Sequence, residues 1–197
     1  MKKTTKKELN ISAQERNKLI AAENRNFFQT GGIFTVNIIG SPGCGKTSIL
    51  EYTANHFDGK FAVIVGDVKT ALDSDRIIQS GQKNAYAIET GGGCHLSAKM
   101  IQQKLEEIDL KNIDYLFIEN VGNLVCPSSF DLGENLKIAV LSIPEGDEKV
   151  RKYPALFLRA AAVIINKIDL LGVMDYDIKR VKADCLAHNP DVKIFDI

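Results

Sequence analysis

The stretch Gly40-Ser41-Pro42-Gly43-Cys44-Gly45-Lys46-Thr47, followed by Ser48, fills every fixed position of the pattern GxxxxGK[ST]. A loop of this kind turns tightly enough for successive backbone N–H groups to face a pyrophosphate, and residues without a Cβ permit that turn. Lys46 then supplies a cation for the β and γ phosphates. Thr47 offers a hydroxyl to Mg²⁺, and the helix starting there aims its N-terminus at the anion. At Cys44 only the backbone N–H is needed, so its thiol reads as a tolerated substitution, with oxidation sensitivity as the alternative. A glycine-rich turn with an incidental lysine is the bland reading of the stretch. Context disfavours it: the β-branched run Ile33 to Ile39 predicts a buried strand ending at the loop, and Lys46 to about Asn55 predicts a helix leaving it.

Outward from the loop, strands and helices alternate. Ser12-Ala13-Gln14-Glu15 has capping-box spacing and predicts a helix to Phe28, stopped by Gly31 and Gly32. Further strands are predicted at Phe61 to Val65, Ala85 to Glu89, Tyr115 to Ile118, Leu136 to Ser142, Ala162 to Ile165 and Lys193 to Phe195. Helices are predicted at Ser74 to Ser80, Leu96 to Ile108, Lys149 to Ala160 and Tyr176 to Ala187. This alternation means βαβ units with right-handed crossovers. The expected fold class is α/β, a three-layer P-loop NTPase arrangement: a mostly parallel central sheet, helices on both faces, and one helix before the first strand.

Composition narrows the function classes. The 197 residues are 45% apolar and 25% charged, and no apolar run approaches the length of a membrane span, which excludes a disordered chain, a coiled coil and a membrane segment. Lys plus Arg and Asp plus Glu are both 25, so no global field draws the chain onto nucleic acid or anionic lipid. Lys2, Lys3, Lys6 and Lys7 open the chain without an acid among the first seven residues. Residues 1–11 are read as a flexible basic tail and 12–197 as a single domain. Met1 is followed by lysines and by no apolar secretory core, so the chain is expected in the reducing cytoplasm, where four cysteines with no CxxC pair serve as ligands or core filler.

Two more strand ends carry chemistry. Asn166-Lys167-Ile168-Asp169 has the form NKxD. A carboxylate at Asp169 accepts from both N1 and the exocyclic amine of guanine but would face an acceptor on adenine, which selects GTP. Its alternative is a polar strand-end turn. Glu119-Asn120-Val121-Gly122 is a variant of the DxxG segment that senses a γ phosphate: Glu119 would hold Mg²⁺ or its water, and the Gly122 amide would donate to the phosphate. Asp67 is a second magnesium candidate, equally readable as a cap or turn aspartate.

Together these pieces resemble the P-loop metallochaperone GTPases that incorporate nickel into hydrogenase, the HypB type. The resemblance runs from about Glu23 to Ile197. It rests on Gly40 to Thr47, on Gly66-Asp67 with Asp73 to Arg76, and on Gly91 to Leu96. Ile118 to Pro127, Pro144 to Asp147 and Asn166 to Asp169 complete it. It implies a GTPase yielding GDP and phosphate, a homodimer promoted by GTP and metal, and partners in a HypA-type nickel chaperone and the hydrogenase large subunit. It also implies a metal site at Cys94, His95 and Cys126. Read by themselves, thiolate and imidazole donors suit Ni²⁺ or Zn²⁺ better than Mg²⁺, with small buried cysteines and a capped histidine as the alternative. Three donors do not close a four-coordinate site, and a two-fold dimer would supply six.

The chain departs from that family in having no CxxCGC motif or histidine-rich tail, and in ending at Ile197 where relatives continue into a guanine-covering loop and a final helix. Turnover is expected to be slow, because no obvious arginine finger or glutamine stands beside Glu119. The alternatives are a urease-type nickel GTPase, disfavoured by the missing Cys-Pro-His run, and a nucleotide-gated metal-binding module with little catalysis. A small-molecule kinase is disfavoured by NKxD.

Overall fold

A computed structural model describes residues 12–67 and 72–197; the expected tail over residues 1–11 lies outside them. The first helix, α1 (Ala13–Gly31), opens on Ser12, whose hydroxyl accepts from Glu15 N while the Glu15 carboxylate accepts from Ser12 N, and it closes on Gly32 at φ +68°. Then follow β1 (Phe34–Gly40), α2 (Lys46–His56), β2 (Phe61–Asp67), α3 (Leu72–Gln79), β3 (Ala85–Glu89), α4 (Ala98–Glu107) and β4 (Tyr115–Glu119). The chain continues through α5 (Cys126–Ser129), β5 (Leu136–Ser142), α6 (Lys149–Lys152), α7 (Pro154–Phe157), β6 (Ala162–Asn166), α8 (Ile178–His188) and β7 (Lys193–Asp196).

The seven strands form one sheet in the order β3-β2-β4-β1-β5-β6-β7, and every pairing is parallel, where a mostly parallel sheet was expected. Strand residues alternate between two apolar layers. Phe61, Val63 and Val65 pack with Leu50 of α2 and Ile77 of α3, while Ala62, Ile64, Leu116 and Ile118 pack with Phe28 of α1 and Ile101 of α4. Ala139, Leu141, Val163 and Ile165 pack with Val150, Leu156, Phe157 and Val181 from α6 to α8. Order reverses at β1, which has β4 on one side and β5 on the other, and that reversal opens a crevice at the strands' carboxyl ends.

Three local expectations are corrected. The helix predicted over Lys149 to Ala160 is two short helices, because Pro154 has no N–H to continue the first and starts the second. The helix predicted from Leu96 begins at Ala98, capped by the Ser97 hydroxyl, so Cys94 and His95 sit in the preceding loop. The short helix α5 was not anticipated; Pro127 in its first turn fits the helix start.

Candidate functional site

The glycine-rich loop leaves β1 at the sheet's reversal and enters α2 through Gly45, whose φ is +102°. No side chain caps this end of α2, so its first N–H groups face the loop. A Cβ on Gly45 would lie 2.1 Å from Asn166 Nδ2. That nitrogen donates to Cys44 O at 2.9 Å, and Lys167 Nζ donates to Gly43 O at 2.8 Å. Two residues of the NKxD segment thus brace the loop from the end of β6. Asp169 stands exposed in the 3-10 turn Ile168–Leu170. Lys46, 6% exposed, donates from Nζ to Gly40 O and Ser41 O at 3.3 and 3.2 Å. Cys44 is fully buried among Val36, Leu50 and Val140, and burial pushes its thiol up to about 11, which favours the tolerated-substitution reading.

A cavity of about 380 Å³ opens beside the loop, lined by Gly45, Lys46, Thr47 and Ser48, by Gly66 and Asp67 at the end of β2, and by Glu119 to Gly122. Asp73, Arg76 and Lys167 complete its walls with Pro42 and Gly43. Gly40, Cys44, Asn166 and Asp169 are not in that lining. Thr47 Oγ1 donates to Glu119 Oε1 at 2.9 Å. The other Glu119 oxygen is buried without a hydrogen-bond partner among the described residues. Burial raises the Glu119 carboxyl to about 7, against the smaller opposing pulls of Lys46 and the Thr47 hydroxyl. Gly122 abuts the glycine-rich loop: a Cβ there would meet Pro42 Cγ at 2.8 Å and Pro42 N at 2.9 Å. Arg76, named in the sequence only as part of the resemblance and given no role there, is a further cation in this wall. It is held by Glu51 at 2.7 and 3.0 Å and by Asp73 at 3.3 Å.

The loop before α4 and the exit of β4 meet at a second cluster. One ligand atom each from Cys94, His95 and Cys126 lies within 4.8 Å of the others. Cys94 is exposed, His95 and Cys126 are half-buried, and Cys94 Sγ is 3.5 Å from His95 Nδ1. Burial lowers the basicity of His95, whose ring lies 3.9 Å from that of Phe130. The neighbouring Cys94 thiol, followed by burial, raises Cys126 above the ordinary thiol value. Desolvation of this sort keeps imidazole in the neutral form that binds a metal.

Sequence reading gave no role to the two asparagines flanking Val121 and Gly122. Asn120 Oδ1 accepts from Leu96 N at 3.1 Å, and Asn123 Nδ2 donates to Cys94 O at 3.4 Å. Their only sequence signal was membership of the stretch Ile118 to Pro127, on which the family resemblance rests.

A glycine-rich loop at the reversal of a parallel sheet, with a carboxylate–threonine pair beside it, defines a P-loop nucleotide-binding protein; here it carries a Cys-His-Cys cluster as well. The family described as "CobW/HypB/UreG, nucleotide-binding domain" matches residues 34–196. The chain is 43% identical over 197 residues to the hydrogenase/urease maturation factor HypB of Helicobacter pylori strain J99, covering 97% of this chain and 81% of that protein. It is similar to the crystal structure of Helicobacter pylori HypB in complex with nickel, with a TM-score of 0.88, 43% identity, and 92% and 86% of the two chains covered. Against HypB of Archaeoglobus fulgidus the TM-score is 0.85 at 40% identity, covering 92% and 89%. The chain belongs to the CobW/HypB/UreG family, on its HypB branch. Among the described residues no helix is long and apolar enough to cross a membrane.

Proposed function

We propose that this chain is a GTP-hydrolysing maturation factor that carries nickel to hydrogenase, with residues 12–197 acting as one GTPase domain. The observation that carries the reading is the exit of β4, where Glu119 lines the nucleotide cavity and Cys126, on the same short connection, joins the Cys94–His95 cluster. The relatives' names as maturation factors, and the nickel in one relative's structure, support it.

In this reading Lys46 leaves its loop carbonyls for the β and γ phosphates, and with the loop amides stabilises the charge that develops as water attacks the γ phosphate. Ser48 and the amides of Gly43 to Thr47 hold the remaining phosphate oxygens, and Asp169 accepts from guanine. The unpartnered Glu119 oxygen beside the Thr47 hydroxyl fits a magnesium ion, with Asp67 as a further ligand. Magnesium, when bound, neutralises charge on the phosphates. Turnover is slow, since Arg76 is committed to Glu51 and Asp73.

Nickel is the cargo, and zinc fits the same donors. Three donors per chain leave the site open, so a homodimer promoted by GTP and metal would pool six. Hydrolysis releases Gly122 and loosens the Cys126 connection, an order-to-disorder switch that frees the ion. The receiving partners are a HypA-type nickel chaperone and the hydrogenase large subunit, in the reducing cytoplasm. Delivery to urease is the second reading, favoured by the double name of the Helicobacter pylori relative.

Nickel titrations of the purified protein with GDP and with a nonhydrolysable GTP analogue, run beside a solution-mass measurement, test this. Tighter binding and a doubled mass with the analogue are expected. Equal affinity in the two states would overturn the coupling.

A further inference from the structure

The exit of β4 contains two asparagines three residues apart, and both reach across to the loop that bears Cys94 and His95. Asn120 is 1% exposed. Its backbone N donates to Ile38 O at 2.9 Å, extending the ladder of β1, and its Nδ2 donates to Asn37 Oδ1 at 3.2 Å. Its single side-chain oxygen accepts twice, from Val121 N at 3.0 Å and from Leu96 N at 3.1 Å. One atom therefore joins the residue before Gly122 to the residue after His95.

The orientation of that amide is dictated from beneath. Glu134, buried and paired with Lys137, has only acceptor oxygens to offer, and Asn37 Nδ2 donates to it at 3.2 Å. Asn37 must then turn its oxygen toward Asn120, and Asn120 must answer with its nitrogen. Only Asn120 Oδ1 is left for the two N–H groups above. Leu96, in turn, is fully buried and packs against Gly66, where a Cβ would meet its side chain at 2.7 Å. On the surface, Asn123 Oδ1 accepts from Val125 N at 2.8 Å while its Nδ2 reaches Cys94 O.

We propose that Asn120 is the positioning residue that transmits nucleotide state to the metal loop, with Asn123 as its outer counterpart; the proposal rests on the coupled reading above. Gly122 lies against Pro42 of the phosphate loop, so a nucleotide that moves Gly122 turns the Val121 peptide. Both acceptor positions of Asn120 Oδ1 are occupied. A turn of the Val121 N–H therefore changes the bond to Leu96 and shifts the backbone that carries His95 and Cys94.

The test is the ratio of nickel affinities measured with a nonhydrolysable GTP analogue and with GDP, in wild type, Asn120→Ala and Asn123→Ala. The wild-type ratio is expected to be about tenfold, falling to within about twofold of one in Asn120→Ala and part-way in Asn123→Ala. A merely structural role would weaken binding in both states and leave the ratio alone, which overturns the proposal. So would wild-type ratios in both variants. Should Asn120→Ala fail to fold, the half-buried Asn123→Ala decides, with an unchanged ratio counting against. A wild-type ratio of one would overturn the coupled reading itself, and is visible before any variant is made.

Discussion

Thr47 and Glu119, 72 residues apart in the chain, are joined by a 2.9 Å hydrogen bond from hydroxyl to carboxylate at the floor of the nucleotide cavity. It exists because β4 lies directly beside β1, with Ile38 opposite Glu119, so the end of one strand faces the helix that leaves the other. Burial holds the Glu119 carboxyl at about 7 against an ordinary 4.5. Between those values the folded protein binds the proton and the unfolded chain does not, so stability falls as pH rises through this window. In nucleotide-free protein with chelator the loss should approach about 3 kcal/mol from pH 4.5 to 7. Urea midpoints at pH 5 and pH 8 measure it, and Glu119→Gln should remove this slope while abolishing GTP turnover. An identical slope in the variant would show that other groups cause it.

Gly122→Ala would drive a methyl into Pro42 and push the Glu119–Gly122 segment, proposed above to sense the γ phosphate, off the glycine-rich loop. GTP hydrolysis should fall about a hundredfold or more, the scale of losing a transition-state donor. Melting temperature should fall as well, because two of the atoms the methyl meets belong to the Pro42 backbone. Wild-type turnover in Gly122→Ala would separate this segment from the chemistry.

The four thiols should divide by burial. Burial pushes Cys44 to about 11 and Cys185 to about 12, whereas Cys94 is exposed and Cys126 half-buried. Alkylation of native protein at pH 8, read by peptide mass, should mark Cys94 and Cys126 and spare the other two until denaturant is added. Nickel should protect the reactive pair. Cys126→Ser should lose nickel binding at least about tenfold while single-chain GTP turnover survives. Labelling of Cys44 in folded protein would contradict the packing of the glycine-rich loop.

Asn24, 2% exposed on α1, donates to Ala98 O at 2.9 Å and Leu132 O at 3.0 Å, pinning α1 to α4 and to the segment beyond the metal cluster. Asn24→Ala removes both of these buried bonds and should cost about 1–3 kcal/mol, read as a shifted urea midpoint. A shift below the error of the measurement would mean that these two bonds do not hold α1 in place.

The phosphate loop and its flanking strand and helix were legible because their signals are local: glycine where φ is positive, a lysine and a threonine at set spacing, a β-branched run before them. Capping at Ser12 and the strand Leu136–Ser142 were read for the same reason. Pro154 was read past, since apolar spacing continues on both sides of it and the break depends on one missing N–H. Asn120 carried no spacing signal at all. Its meaning comes from Asn37 and Leu96, which reach it from two other segments, and from Glu134, which orients Asn37.

Residue order alone was enough for the fold class and the glycine-rich nucleotide loop, because each depends on neighbours a few positions apart. Folding in three dimensions decided that Cys126 meets Cys94 and His95 within one chain, that Arg76 stands in the cavity wall, and that a single amide oxygen spans both sites. Those contacts follow from β2 and β4 lying side by side in the sheet, a pairing between distant segments that no local pattern encodes.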